Sequence, residues 1–152
     1  MEKIIQTALE RAKNASLIGE TPVGAVIFNT KTKEILCVAH NLTEKENDAT
    51  AHAEILAIRQ AGKLLKNTNL SGYSIFSTLE PCAMCACAIA WAKLDNVYFG
   101  AYDTKSGGIE HGVQMYVHTH HKPNIFGGLH ETECLSLMSD FFKNLRNEKN
   151  GK

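Results

Sequence analysis

Residues 73–100 read YSIFSTLEPCAMCACAIAWAKLDNVYFG and decide the fold of this chain. Aromatic and β-branched residues alternate with small polar ones over residues 73–78, which predicts a strand. Pro81 suits the first turn of a helix, and the small apolar residues of 82–93 predict a helix that is largely buried. Residues 96–100 predict a second strand. The stretch is therefore a strand–helix–strand unit.

Segments on both sides of this unit carry periodic patterns of their own. Two runs rich in β-branched residues, separated by a polar stretch, predict an antiparallel hairpin of strands at residues 23–28 and 34–39. Strands that alternate with helices predict an α/β sandwich, in which helices cover both faces of a sheet that the hairpin makes mixed. Apolar residues at helical spacing predict further helices at residues 2–17, 51–61 and 131–146.

The rest of the sequence gives no sign of a second domain. Residues 107–130 contain clustered glycines and are interpreted as an irregular region. Neither a linker nor an internal repeat interrupts the pattern of strands and helices. We therefore expect residues 1–152 to fold as one domain, a length that supports a single hydrophobic core.

Charge and composition exclude several classes of protein. Sixteen basic residues balance sixteen acidic ones, so no overall field attracts the chain to phosphate or to anionic lipid, although a local basic patch could. No apolar run approaches the roughly 20 residues that cross a bilayer, and residues 1–18 lack the apolar centre of a signal peptide. Three of the five cysteines lie within residues 82–87, which favours metal binding in a reducing cytoplasm over disulfides.

Two short motifs at predicted helix starts carry the chemistry. The first is His52-Ala53-Glu54, and the second is Pro81-Cys82-Ala83-Met84-Cys85. Cysteines three residues apart at a helix start can direct both sulfurs at one point, where the helix dipole favours thiolates. His52, Cys82 and Cys85 are therefore predicted to bind zinc. Three protein ligands leave a fourth position for water, which is the pattern of a catalytic zinc site.

Glu54 is predicted to act beside the metal and not as a ligand. Residues two apart on a helix point in different directions, so Glu54 and His52 cannot easily bind one ion through the same face. A carboxylate next to the metal can take a proton from water, pass it to a ring nitrogen and later protonate departing ammonia. The motifs therefore predict hydrolytic removal of an amino group from a nucleobase.

Other interpretations of these residues remain open at this point. Cys82 and Cys85 alone could be buried cysteines or half of a four-ligand structural zinc site. Cys87 would then be a candidate ligand, but it diverges from Cys85 on a helix, so we assign it to packing, as we do Cys37 and Cys134. Three further side chains are interpreted as part of a solvated loop and not as a second metal site: His118, His120 and His121.

The motifs resemble those of the cytidine deaminase-like superfamily, and most closely those of the bacterial tRNA-specific adenosine deaminases. The likeness extends over nearly the whole chain, through TPVGAV at 21–26, TAHAEI at 50–55, TLEPCAMC at 78–85 and the closing SDFF at 139–142. It implies a three-layer sandwich with a five-stranded mixed sheet and a homodimer. It also implies conversion of the wobble adenosine of a tRNA anticodon stem-loop to inosine.

The resemblance also implies roles for individual residues. His52, Cys82 and Cys85 match the zinc ligands, and Glu54 matches the proton shuttle. Asn41 matches the asparagine that recognises the base. Asp103 and Lys105 match positions that approach the RNA. The full set of implied substrate contacts is Asn41, Ala53, Asp103, Phe141 and Phe142.

Several departures from the family pattern leave other substrates open. The loop at 107–112 replaces a smaller turn, and Tyr102 stands where many relatives have a basic residue. Trp91-Ala92 looks like the guanine deaminases, so a free-base guanine deaminase is the second hypothesis, and a cytosine or cytidine deaminase is the third. A zinc-stabilised binding module without activity is a fourth.

A basic edge that favours RNA is predicted on the last helix, at Lys143, Arg146, Lys149 and Lys152.

Overall fold

The computed structural model describes residues 1–151, which form four helices, one short 3-10 helix and one sheet. The helices are α1 (Glu2–Leu17), α2 (Ala53–Leu65), α3 (Ala83–Trp91) and α4 (Glu131–Asn150), and the 3-10 helix is Met115–Val117. The strands are β1 (Gly24–Asn29), β2 (Ile35–His40), β3 (Tyr73–Leu79), β4 (Asn96–Ala101) and β5 (Asn124–Phe126). No helix within residues 1–151 is long and apolar enough to cross a membrane.

The five strands lie in the order β2-β1-β3-β4-β5. β1 pairs antiparallel with both β2 and β3, which confirms the predicted hairpin. β3 and β4 are parallel because α3 carries the chain back between them, and β4 and β5 are also parallel. The sheet is therefore mixed and five-stranded, as the resemblance implies.

Alternate side chains of the strands face two separate cores. Ala25 and Ile27 of β1 point to the side covered by α2 and α3. Val26 and Phe28 point to the opposite side, which α1 and α4 cover. This alternation places one helix layer on each face of the sheet. The predicted three-layer sandwich is confirmed.

β5 lies inside the region that the sequence predicts to be irregular. It has only three residues, all of them exposed, so no alternation of buried and exposed side chains marks it as a strand. Pairing with β4 holds β5 in place. Asn124 pairs with Asn96 of β4, and its side chain donates a hydrogen bond to the Asn96 side chain at 2.9 Å. An edge strand this short is stabilised by pairing with its neighbour, and the local pattern of apolar and polar residues cannot predict that pairing.

Gly24 of β1 lies in close contact with the backbone of α1. A Cβ atom at this position would meet the carbonyl oxygen of Ala8 and the backbone nitrogen of Ala12. Both are main-chain atoms of α1 and cannot turn away. The contact therefore requires glycine for reasons of space.

We expect Gly24→Ala to lower the free energy of unfolding by about 1–3 kcal/mol, since the methyl group overpacks the α1–β1 contact. Gly62→Ala is the matched control, because the nearest atom to its new Cβ is the Asn67 carbonyl oxygen at 3.5 Å. Alanine inside a helix should raise stability there by about 0.5–1 kcal/mol. Urea denaturation followed by circular dichroism measures both, and a Gly24→Ala protein as stable as wild type would contradict the prediction.

Candidate metal centre and active site

The first turns of α2 and α3 meet beside the end of β3. His52 is the residue immediately before α2, and Cys82 is the residue immediately before α3; both have extended backbone conformations. His52 Nδ1 lies 3.6 Å from Cys82 Sγ and 3.5 Å from Cys85 Sγ. All three candidate ligand atoms lie within 4.8 Å of one another. The structure thus brings the three predicted ligands together.

The spacing of these three atoms fits a zinc ion. Tetrahedral zinc with bonds of about 2.1 Å to nitrogen and about 2.3 Å to sulfur separates those two atoms by about 3.6 Å. The two nitrogen–sulfur distances in the cluster agree with that value. No second group of three such side chains occurs within residues 1–151.

The protonation of the cluster also favours a bound cation. The pKa of Cys82 is lowered to about 4, because the neighbouring Cys85 and His52 side chains stabilise its thiolate. The nearby Cys82 sulfur raises the pKa of Cys85, as do burial and the neighbouring Glu54 carboxylate. The Cys82 thiol therefore loses its proton readily, whereas the Cys85 thiol needs a positive charge nearby to do so. A divalent ion supplies that charge.

Glu54 is buried in the first turn of α2 and touches the cluster from one side. Its Oε1 accepts a hydrogen bond of 2.6 Å from Ser77 Oγ, and its Oε2 accepts one of 3.2 Å from Cys85 Sγ. Ser77 lies on β3, so the sheet fixes the direction of the carboxylate. This geometry keeps Glu54 beside the three candidate ligands, where a carboxylate can exchange protons with a bound substrate.

A cavity of about 270 Å³ opens over the cluster. Its volume lies below the range of about 300–1,000 Å³ for pockets that hold drug-sized ligands, so it suits one base. Asn41, Ala53 and Asp103, three of the implied substrate contacts, line this cavity together with His52 and Glu54. Thr21, Val23, Thr43, Ser106 and Met138 also line it, and none of them was singled out as a substrate contact from the sequence.

A larger groove of about 680 Å³ continues from the cavity along α4. The two share four lining residues, and these are Leu79, Asp103, Ser106 and Met138. Lys105, Arg146 and Lys149 line the groove and give it three cationic side chains. Lys143 is exposed and does not line it. Lys152 lies outside the described residues.

The two phenylalanines of α4 lie on different sides of the helix. Phe142 lines the large groove and is 46% exposed. Phe141 lines a separate groove of about 410 Å³ between α1 and α4. Neither side chain lines the cavity over the cluster. Adjacent residues of a helix point in different directions, which explains the separation.

Glu80 is a buried carboxylate that the sequence interpretation left without a role. It accepts hydrogen bonds from the backbone N–H groups of Asp103, Ile109, Glu110 and His111, at 3.1, 3.3, 2.9 and 3.0 Å. Its Oε1 also lies 2.8 Å from His111 Nδ1. Burial alone would raise the pKa of Glu80, but the hydrogen bonds from His111, Asp103 and Glu110 hold it below its ordinary value. The carboxylate thereby fixes the loop that carries Asp103 into the cavity wall.

Two glycines of this loop pack against the segment that leads into α3. A Cβ on Gly107 would meet the Glu80 carboxyl group, and one on Gly108 would meet the backbone of Cys82 and Ala83. Gly108 N–H also donates to the Pro81 carbonyl oxygen at 2.9 Å. The Gly-Gly pair was the one sequence signal that could have indicated this contact.

The remaining cysteines and histidines lie outside the cluster. Cys37 and Cys134 are buried and Cys87 is half-buried, and none of the three belongs to the metal group. His121 Nε2 lies 2.7 Å from the Leu94 carbonyl oxygen, and the His120 ring packs edge-on against Trp91 at 4.9 Å.

The sequence profile of the cytidine and deoxycytidylate deaminase zinc-binding region matches residues 1–101. The chain belongs to this family. The matched stretch contains the whole cluster of His52, Cys82 and Cys85 together with Glu54. The family membership and the cluster geometry therefore agree on a zinc-binding deaminase.

Individual relatives extend the likeness to the full fold. The tRNA-specific adenosine deaminase of Rickettsia bellii is 40% identical over 144 residues, which cover 93% of this chain and 99% of that protein. A structure solved in studies of A-to-I editing by tRNA:A34 deaminases has a TM-score of 0.87 and 37% identity, over 90% of this chain and 99% of the other. A guanine deaminase from Nitrosomonas europaea has a TM-score of 0.81 over 91% of this chain and 82% of its own, but only 18% identity. That last likeness shows a common fold alone.

We expect Cys85→Ala to lose most of the zinc that the wild-type protein holds, about one ion per chain, since the site loses one of three ligands. Cys87→Ala is the matched control on the same helix and should keep its zinc, because Cys87 lies outside the cluster. Mass spectrometry of zinc in the purified proteins measures both. Zinc loss in Cys87→Ala would instead identify a fourth ligand and a structural site.

Proposed function

We propose that this protein converts adenosine to inosine at the wobble position of a tRNA anticodon. The observation that carries the proposal is a base-sized cavity, at a zinc-binding cluster, that opens into a longer groove with three cationic side chains. A free base needs only the cavity, whereas a groove beside it suits the nucleotides that flank the reacting base. The relatives that are about 40% identical are tRNA-specific adenosine deaminases, which supports the same substrate.

In this reaction His52, Cys82 and Cys85 would hold the zinc ion. When bound there, zinc would supply Lewis-acid chemistry and make water reactive near neutral pH. Glu54 would take up the two protons of the hydrolytic water one after the other, passing the first to a ring nitrogen of the base and the second to the departing amino group. Ser77 donates its hydroxyl hydrogen to Oε1 at 2.6 Å and so keeps the carboxylate directed at the cluster.

The groove along α4 holds the RNA on either side of the reacting base. Lys105, Arg146 and Lys149 contribute the charge that attracts phosphates, and Phe142 offers an exposed ring on which a neighbouring base can stack. The wobble base must leave its stack to enter a cavity of about 270 Å³. Contacts in the groove offset the cost of that movement.

We further propose a cytoplasmic homodimer. Leu64, Trp91 and Val117, which belong to α2, α3 and the 3-10 helix, are 55%, 69% and 69% exposed. These three side chains are our candidates for the interface of the homodimer that the family resemblance implies. Free thiols at a metal site favour a reducing compartment.

The features that resemble guanine deaminases do not belong to the cavity. Trp91 is on the surface and lines a groove between α2 and α3, and the loop at 107–112 contributes no residue to the cavity over the cluster. A different base specificity requires changes in the cavity wall. Neither feature therefore favours a free-base substrate.

We expect the zinc-loaded protein to form inosine in an anticodon stem-loop and to release little ammonia from free guanine, cytosine or cytidine. Turnover of the stem-loop should fall steeply with salt, because phosphate contacts release counterions. Liquid chromatography of digested RNA measures inosine, and a coupled assay measures ammonia. Ammonia from guanine, with no inosine in the stem-loop, would replace this proposal with the guanine deaminase.

We expect Glu54→Gln to lower kcat by about 10²–10⁴-fold while the protein keeps its zinc, because the amide cannot carry the proton. Glu10→Gln, at an exposed position of α1, is the control and should leave kcat unchanged. Stem-loop turnover and zinc content are measured on the same preparations. Full activity in Glu54→Gln would rule out the shuttle, and a wild-type protein without turnover on any substrate would favour a zinc-stabilised binding module.

A further inference from the structure

Asn41 lies on the wall of the cavity, next to the end of β2, and its amide group is held by two neighbours. Its Nδ2 atom donates a hydrogen bond to Glu20 Oε2 at 3.0 Å and another to Thr43 Oγ1 at 3.2 Å. A side-chain amide has two hydrogens on nitrogen, so these two bonds use both of them. The carbonyl oxygen Oδ1 is the polar atom of the amide that remains for a ligand.

Glu20 determines this orientation because a carboxylate only accepts hydrogen bonds. Rotating the amide of Asn41 by half a turn would place Oδ1 against Oε2, with two acceptors about 3 Å apart and no hydrogen between them. The carboxylate itself cannot turn away, since it also accepts from the backbone N–H groups of Glu44 and Lys45, at 3.2 and 2.6 Å. Glu20 is 1% exposed, so water does not compete for it.

We infer that Glu20 is a positioning residue that sets the hydrogen-bonding polarity of the cavity. It keeps Asn41 with its carbonyl oxygen available to the substrate, and the cavity then selects a molecule that offers an N–H or O–H donor at that point. Glu20 acts through Asn41 and does not line the cavity itself. The identity of the substrate that meets this acceptor rests on the proposed function, in which a ribonucleoside supplies an amino group and ribose hydroxyls.

A double-mutant cycle separates this role from general support of the loop after β2. Glu20→Gln keeps the size of the side chain but adds hydrogens, so the amide of Asn41 is free to turn. On the stem-loop we expect kcat/KM to fall about tenfold or more, which is the effect expected from the loss of one hydrogen bond to a charged group. The zinc content should be unchanged. In an Asn41→Ala background the same substitution should change kcat/KM by less than about twofold, because the residue through which Glu20 acts is gone.

Glu46→Gln, on an exposed residue of the same loop, is the control and should leave kcat/KM at the wild-type value. Thr43→Val is the second variant, for the case in which Glu20→Gln is too unstable to assay. It releases the other amide hydrogen of Asn41 and should give a smaller loss that also disappears in the Asn41→Ala background. Equal losses in both backgrounds would overturn the inference, since they would reflect the loop and not Asn41.

A measurement without turnover tests the contact directly. The side-chain amide signals of Asn41 in the ¹⁵N-labelled, zinc-loaded protein are identified by their absence in Asn41→Ala. Their exchange with solvent should be slow in wild type and at least about tenfold faster in Glu20→Gln, because the hydrogen bond to the carboxylate is lost. Equal exchange rates would overturn the inference. A wild-type protein inactive on the stem-loop would overturn the proposed function alone, because the exchange experiment does not depend on activity.

Discussion

The buried carboxylate of Glu80 is the constraint on which the site depends. The loop at 103–111 belongs to no strand, so four of its backbone N–H groups would lack partners without the side chain that reaches them. Glu80 lies two residues before Cys82, between the end of β3 and the start of α3. The same turn therefore supplies one candidate metal ligand and orders the loop that forms the opposite wall of the cavity.

The chemistry of the site follows from two helix starts that meet at one end of the sheet. Partial positive charge at the start of α2 and of α3 stabilises the negative groups gathered there, which are the Glu54 carboxylate and the Cys82 thiolate. Strand β3 joins the two, because it carries Ser77 toward Glu54 and leads directly into the cysteine motif. The candidate ligands and Glu54 are thus carried by short segments that meet at one end of the sheet.

Features that depend on short segments could be predicted from the sequence, whereas contacts between residues far apart in the chain could not. His52, Cys82 and Cys85 could be recognised because helix starts and a three-residue spacing are properties of short segments. Most of the fold was accessible for the same reason, through alternating and helical patterns. Ser77 and Glu80 act on residues 23 or more positions away, so no periodicity marks them. β5 was missed because its strand conformation depends on pairing with β4. The separation of the two phenylalanines of α4 could not be predicted without knowing which face of that helix packs against the sheet.

Helix α4 is fastened to the sheet mainly through one fully buried side chain, Cys134, which packs against Gly100 of β4. Most of its apolar side is only partly covered, and it lines the large groove without contributing any candidate zinc ligand. Two of the three cationic side chains of the groove, Arg146 and Lys149, therefore lie on a segment that is separate from the candidate zinc ligands. A change in the length or rotation of α4 would therefore reshape the groove while leaving the three candidate ligands in place.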